Sequence, residues 1–433
     1  MLNSGDTAWM LISSALVLLM TPGLAFFYGG LVRDTDVINT IKMSFISLAV
    51  IALEWAALGY SVAFAPGTPL LGGLAWAGLS GVGEAPNAEY AATVPHLAFM
   101  TFQMMFAVIT PALISGAVVG RMRFRVYMLF ILLWGLAVYN PIAHWVWGTG
   151  GWLRELGALD FAGGSVVHIS AGVSALVAAL ILGPRRAPHP EHKVPHNVPF
   201  VILGASLLWF GWFGFNAGSA LTAGGLASLA FVTTNLSAAA AVVTWVLLES
   251  ALKKRTSGVG AAVAAVVGLV AITPAAGFVT PLSSVAIGSV AALVCYAALQ
   301  LLGRTRLDDR LDVFACHGVG GIVGALLTGV FATKSVNPAG ADGLLYGNAK
   351  LLAAQLASVG ATAALAALGT AAILLTLRWV TDLRPTQLEE ARGIDDIEHG
   401  EVAYALGTAS LRLQRSSVNS SPVSARGSYD APA

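Results

Sequence analysis

Apolar runs long enough to cross a bilayer recur along almost the whole chain. A helix needs about 20 predominantly apolar residues to span about 30 Å of hydrocarbon. Eleven runs meet or approach that length, over about 7–32, 41–65, 91–118, 126–147, 163–183, 199–219, 225–250, 258–278, 283–303, 312–333 and 350–380. In lipid every backbone polar group must be satisfied within the protein, and runs this continuous do so as helices. The expected fold is an all-α polytopic membrane protein with eleven transmembrane helices. Composition agrees: 57% of residues are hydrophobic and 10% charged, against about 25% charged in soluble domains. A net charge of +1 gives no footprint for nucleic acid. Cys295 and Cys316 both lie in apolar runs, so no structural disulfide is expected. The first run, Trp9 to Val32, is too long for a signal segment and has no basic residue before it. It reads as a retained span, with a longer precursor left open.

Lysine and arginine placement sets the expected orientation. One set of connections holds Arg33, Lys42, Arg121, Arg123, Arg125, Arg185, Arg186, Lys193, Lys253, Lys254, Arg255, Arg304, Arg306 and Arg310. The other holds only Arg154, Lys334 and Lys350. By the positive-inside rule the N-terminus is outside and the C-terminus cytoplasmic. Ten spans divide into two sets of five, and an odd-numbered unit inserts its copies in opposite directions. Spans 1–5 and 6–10 therefore form an inverted five-helix repeat, with the site between the halves near the midplane. Span eleven braces the outside. Residues 1–380 form the transmembrane domain, 381–406 a charged cytoplasmic tail, and 407–433 a Ser/Pro/Ala-rich segment read as disordered.

Two segments echo one another across the halves. ALDFAGGSVVHIS places His168 behind Asp160, and DVFACHGVGG places His317 behind Asp312. An ionisable group several residues inside a bilayer is a functional-site hypothesis by default. The bland alternative is two unrelated core histidines, each bonded to a carbonyl. The favoured reading is a hydrogen-bonded imidazole pair lining a narrow path, since imidazole both donates and accepts. Asp160 reads first as a cap on the fifth helix and second as a charge that biases a cation's approach. Asp312 reads as a cap on the tenth.

Phe102 and Phe106 lie one turn apart in span three. Trp147 ends span four, and Trp212, Phe215 and Ser219 end span six. Singly, each aromatic residue suits a lipid-facing or interfacial position. Together, Phe106 and Phe215 can stack as a plug. Trp147 and Phe106 can offer π faces to a cation, with Ser219 as an acceptor. His189, His192 and His196 mimic metal spacing but sit in a short, proline-rich, basic loop, so no metal or cofactor is expected. The spans hold no Ser/His/Asp set, and the protein is not read as an enzyme.

These residues resemble the ammonium transporters of the Amt/Mep/Rh superfamily. The resemblance covers about residues 7–405 and rests on MTPGLAFFYGGLV, ALDFAGGSVVHIS, GWFGFNAGSA, ITPAAGFV and DVFACHGVGGIVG. GIDDIEHGEVAY is similar to the family's regulatory tail. The resemblance implies an ammonium-binding site of Phe106, Trp147 and Ser219. It implies a gate of Phe106 and Phe215 and a pore of His168 and His317. Asp160, Phe102 and Trp212 would shape the entrance. It implies recruitment of ammonium, deprotonation, and passage of ammonia with co-movement of the proton. Methylammonium would follow the same path. It further implies a homotrimer in the cell (inner) membrane, a bacterial source, and a PII-type signalling protein as partner at the cytoplasmic face. Trp147 and Ser219 favour the Amt branch over an Rh-like ammonia or carbon dioxide channel. An ammonium sensor is the alternative of another class.

Overall fold

The computed structural model describes residues 1–186 and 194–404. The chain runs as α1 (Ser4–Leu31), α2 (Val37–Phe64), α3 (His96–Val118), α4 (Phe124–Trp134, a π-helical turn Gly135–Tyr139, then Asn140–Trp147) and α5 (Gly164–Leu182). It continues as α6 (Val198–Ala217), α7 (Gly225–Lys253), α8 (Gly258–Ile272), α9 (Pro281–Leu302), α10 (Phe314–Phe331) and α11 (Ala349–Val380). Among the described residues, ten of these are long and apolar enough to cross a membrane. The eighth, α8, is an apolar helix of 15 residues, and turns carry on from it through Thr273 to Phe278. The molecule is a multi-pass helical membrane protein, and among the described residues each of the eleven expected spans holds one of these helices. The sole sheet among the described residues is a two-stranded antiparallel pair, β1 (Pro86–Asn87) and β2 (Ala91–Pro95).

Side chains set the helix starts. Asn3, Asn197, Ser257, Thr280 and Asn348 each accept a backbone N–H in the first turn of the helix they precede. Small residues then set the crossings, because apolar side chains gain little by leaving lipid. Helices α1 and α6, the first of each half, cross with Gly204 against the Phe27 backbone. Helices α5 and α10, the fifth of each half, cross with Gly172 against the Gly318 backbone. An added Cβ at Gly204 or Gly172 would stand 2.2 or 2.1 Å from the facing amide nitrogen. The lead helices therefore touch almost backbone to backbone.

Helix α11 packs on α4, α5 and α10. It holds them through buried polar side chains. The Gln355 amide bonds Leu159 and the Ala325 carbonyl, and Thr370 and Ser174 meet the Trp134 indole. Its other face carries exposed Leu368, Leu375 and Trp379, the apolar coat of a helix against lipid or another subunit.

Candidate functional site

The residues at the centre sit on π-helical turns. His168 lies in Gly164–Ile169, Phe215 in Phe213–Ala217 and His317 in Phe314–Val319. Such turns are rare and collect at functional sites, because the extra residue re-aims a side chain. The turn bearing His168 packs on α10, and the turn bearing His317 packs on α5. The two rings meet with Nδ1 to Nδ1 at 3.3 Å, and His168 is 1% exposed. One Nδ1–H must donate to the other Nδ1, so the two rings hold opposite tautomers. His168 Nε2 is buried without a protein partner.

Above the pair lies an aromatic column. Phe215 is 6.1 Å from the His168 ring, and Phe106 stacks on Phe215 at 4.1 Å. Phe102 meets Phe106 edge-on at 4.9 Å. Trp212 stacks on His168 at 5.4 Å, and its indole donates to the Thr273 hydroxyl. The space beside the histidines is about 10 Å³ and is lined otherwise by groups such as Leu24, Ile109 and Leu208. That is close to the room one water molecule needs.

Beyond Phe106 the column opens into a vestibule of about 240 Å³, lined by Phe106, Trp147, Ser219, Asp160, Tyr90 and Gln103 among others. Trp147 stands perpendicular to Phe106 at 5.9 Å, and its indole donates to the Asp160 carbonyl. Ser219 donates to the Phe215 carbonyl at 2.8 Å, which leaves its oxygen lone pairs to accept. The Asp160 carboxylate accepts four backbone N–H groups, from Gly163, Gly164, Ser165 and Val166, at 2.6–3.2 Å. It fills the start of α5, where Gly163 takes φ +114° to bring the amides round. Tyr90 and Gln103 carry no motif, and sequence reading missed them.

At the opposite end one expectation is corrected. Asp312 does not cap α10. It adopts φ +57°, and the Phe314 amide donates instead to Asp309 Oδ2 at 2.7 Å. With Asp312 in a left-handed turn, the acid three residues earlier reaches the amide. Asp308 joins Arg185 at 2.7 Å and Arg121 at 3.7 Å. Burial pushes the Asp308 carboxyl up, but the two guanidinium groups outweigh it and hold the acid below its usual value.

The tail lies against this end. Thr386 and Glu389 form a capping box that starts α12 (Gln387–Arg392). Arg123 reaches both Glu389 and Glu398, and Arg384 pairs with Glu390 at 2.6 Å. Gly393 turns at φ +106° directly over Thr35, where a Cβ would collide. Asp395 then accepts the Ile38 and Asn39 amides at the start of α2. The His399 ring bonds Lys42 Nζ and the Asn39 amide oxygen, both at 3.0 Å. The Asp396 carboxylate meets no hydrogen-bond or ion-pair partner among the described residues, while its carbonyl accepts the Gly400 amide. His196 bonds the Val32 carbonyl and Tyr404, while His189 and His192 lie outside the described residues.

A stacked aromatic column thus stands over a buried imidazole pair. The ammonium transporter family model matches residues 8–404. The chain belongs to the ammonium transporter family. It is 50% identical over 404 residues to the ammonium transporter of Bacillus subtilis strain 168, covering 93% of this chain and 99% of that one. The crystal structure of Candida albicans Mep2 superposes with a TM-score of 0.83 at 39% identity, over 88% of this chain and 85% of that one. A structure described as a sensor Amt protein superposes with a TM-score of 0.83 at 30% identity, over 91% and 98%. The resemblance read from the motifs is thus a family membership.

Proposed function

We propose that this chain carries ammonium across a membrane by binding the cation at the vestibule and passing ammonia through the histidine pair. One observation carries the reading: the stacked Phe106–Phe215 pair stands directly between the vestibule and the joined His168–His317 rings. Moving a bare cation into a low-dielectric medium costs of order 20 kcal/mol. One aromatic face returns about 0.5–2 kcal/mol. Trp147 and Phe106 can therefore hold a cation at the mouth, with Ser219 accepting a hydrogen bond, but cannot take it through. An amine-like acid two to three units above ambient pH loses its proton for about 3–4 kcal/mol, so deprotonation is the cheaper route. Neutral ammonia then needs only a gate that opens and a polar partner beyond it. His168 Nε2, with no protein partner, offers that contact. The proton crosses separately, and net charge moves with the substrate.

By family membership the protein works as a homotrimer in the inner membrane, with the vestibule outside. The tail, packed on the starts of α2 and α4, is then cytoplasmic and available to a PII-type partner. The sensor-like neighbour keeps a second reading open, because the same fold serves a protein so described. Methylammonium uptake by a strain lacking its own transporter, with ammonium-driven current in proteoliposomes, decides between them. Uptake and current support transport; neither, in a folded trimer, overturns it.

A further inference from the structure

The second and fourth spans each carry a π-helical turn, Trp55–Gly59 and Gly135–Tyr139, and the two turns contact one another. Glu54 and Asn140 meet between them, both buried. The acid lies inside a bilayer-crossing helix, where an ionisable side chain is costly and calls for a reason.

The hydrogen bonds show what is missing. Asn140 Nδ2 donates to Glu54 Oε1 at 2.7 Å. Glu54 Oε2 and Asn140 Oδ1 are both buried with no partner. With the carboxyl ionised, both are buried acceptors that no donor meets, and the charge has one neutral amide for company. One proton on Oε2 removes all three problems. The new O–H donates to Asn140 Oδ1 while the amide N–H donates to Oε1, and the groups close into a cyclic acid–amide pair. Buried acceptors left unmet are costly, so the protonated form is the one these neighbours suit.

The surroundings are cut to this pair. A Cβ on Gly59 would stand 2.7 and 2.8 Å from the two carboxyl oxygens and 3.0 Å from Asn140 Nδ2. A Cβ on Gly135 would stand 3.5 Å from Oε2. Each π-helical turn thus presents bare backbone to the pair. Tyr139, from the α4 turn, is the titratable group that faces it, with its hydroxyl buried. Tyr60, later on α2, is engaged by His96 of α3. Among the described residues no lysine, arginine or histidine neighbours the carboxyl to stabilise its charge.

We propose that Glu54 is a proton-binding site within the membrane, holding its proton on Oε2 and closed with Asn140 into a clasp between α2 and α4. The clasp lies beside α3, the helix of Phe106, to which Trp55 of the same turn also bonds through the Met100 carbonyl. It stands outside the histidine column and does not depend on what the pore carries.

Infrared difference spectra of the full-length protein in lipid nanodiscs test it. Wild type minus Glu54→Gln at neutral pH should contain the carbonyl stretch of a protonated carboxyl, shifted in D2O. The glutamine keeps an N–H where the O–H stood, so that variant should fold and take up methylammonium as wild type does. Asn140→Ala frees the acid from its amide, and the same band should move. A spectrum without a protonated-acid band overturns the proposal, as does a band that Asn140→Ala leaves in place. Failure of wild-type protein to move methylammonium would sink the transport reading and leave these spectra just as decisive.

Discussion

Replacing Gly172 by alanine tests whether the histidine pair depends on a single close crossing. Gly172 lies one turn beyond His168 and faces Gly318, the neighbour of His317. The added Cβ would stand 2.1 Å from Gly318 N and 2.3 Å from Gly318 Cα. Non-bonded heavy atoms settle at about 3.5–4 Å, so α5 and α10 must part by roughly 1.4 Å or more. Backbone atoms cannot swing aside as a side chain can. Passed to the rings, that movement takes the 3.3 Å nitrogen contact to about 4.7 Å, beyond hydrogen-bond reach. Overpacking should cost about 1–3 kcal/mol of stability. Uptake should fall at least about tenfold if the joined pair is required, the equivalent of 1.4 kcal/mol in the barrier.

Gly318→Ala is the control. There the Cβ meets the Phe314 ring at 2.7 and 3.0 Å and the Gly172 carbonyl carbon only at 3.4 Å. The ring can turn away, so this variant should keep most of its activity. Methylammonium uptake and thermal unfolding of the purified trimer are the assays. Equal effects at the two glycines, or wild-type uptake in Gly172→Ala, would refute the reasoning.

Other consequences can be checked alongside. Phe215→Ala removes the ring stacked on Phe106 and should leave a folded protein with altered flux, while Trp147→Leu should weaken discrimination against competing ions; unchanged selectivity in both would remove the aromatic site. Changing His168 and His317 together to alanine should abolish ammonium-driven current on solid-supported membranes, whereas a single acidic replacement keeps an ionisable group and should retain conduction. His399 opposes tail docking in acid. Burial and nearby Lys42 hold its pKa below its usual 6.5, so the undocked ring binds more protons, while burial raises the docked Asp395 carboxyl to about 6 and acts in the opposite sense. His399→Gln should therefore make docking less sensitive to acid than in wild type, read by amide exchange across residues 387–404 corrected for the intrinsic rate at each pH; an unchanged pH dependence would refute it.

Much of this molecule was legible in the chain. Apolar length named the helices, since a bilayer demands about the same number of residues wherever it is crossed. The echo of His168 in His317, and the aromatic residues within span three and at the ends of spans four and six, marked the candidate site. Glu54 was visible too, as an acid in LEWAALG within the second span, but nothing in sequence tied it to Asn140.

What tertiary structure alone decided is which atoms face each other. The histidines meet through Nδ1 because two glycines let α5 and α10 touch and π-helical turns rotate the rings inward. Asp309 rather than Asp312 caps α10 because of one left-handed residue. Arg123 finds two acids of the tail from 266 and 275 residues away. Hydropathy records how each segment meets lipid, a property of the segment alone. Register between helices comes from interlocking surfaces contributed by distant segments, and only the packed structure brings those surfaces together.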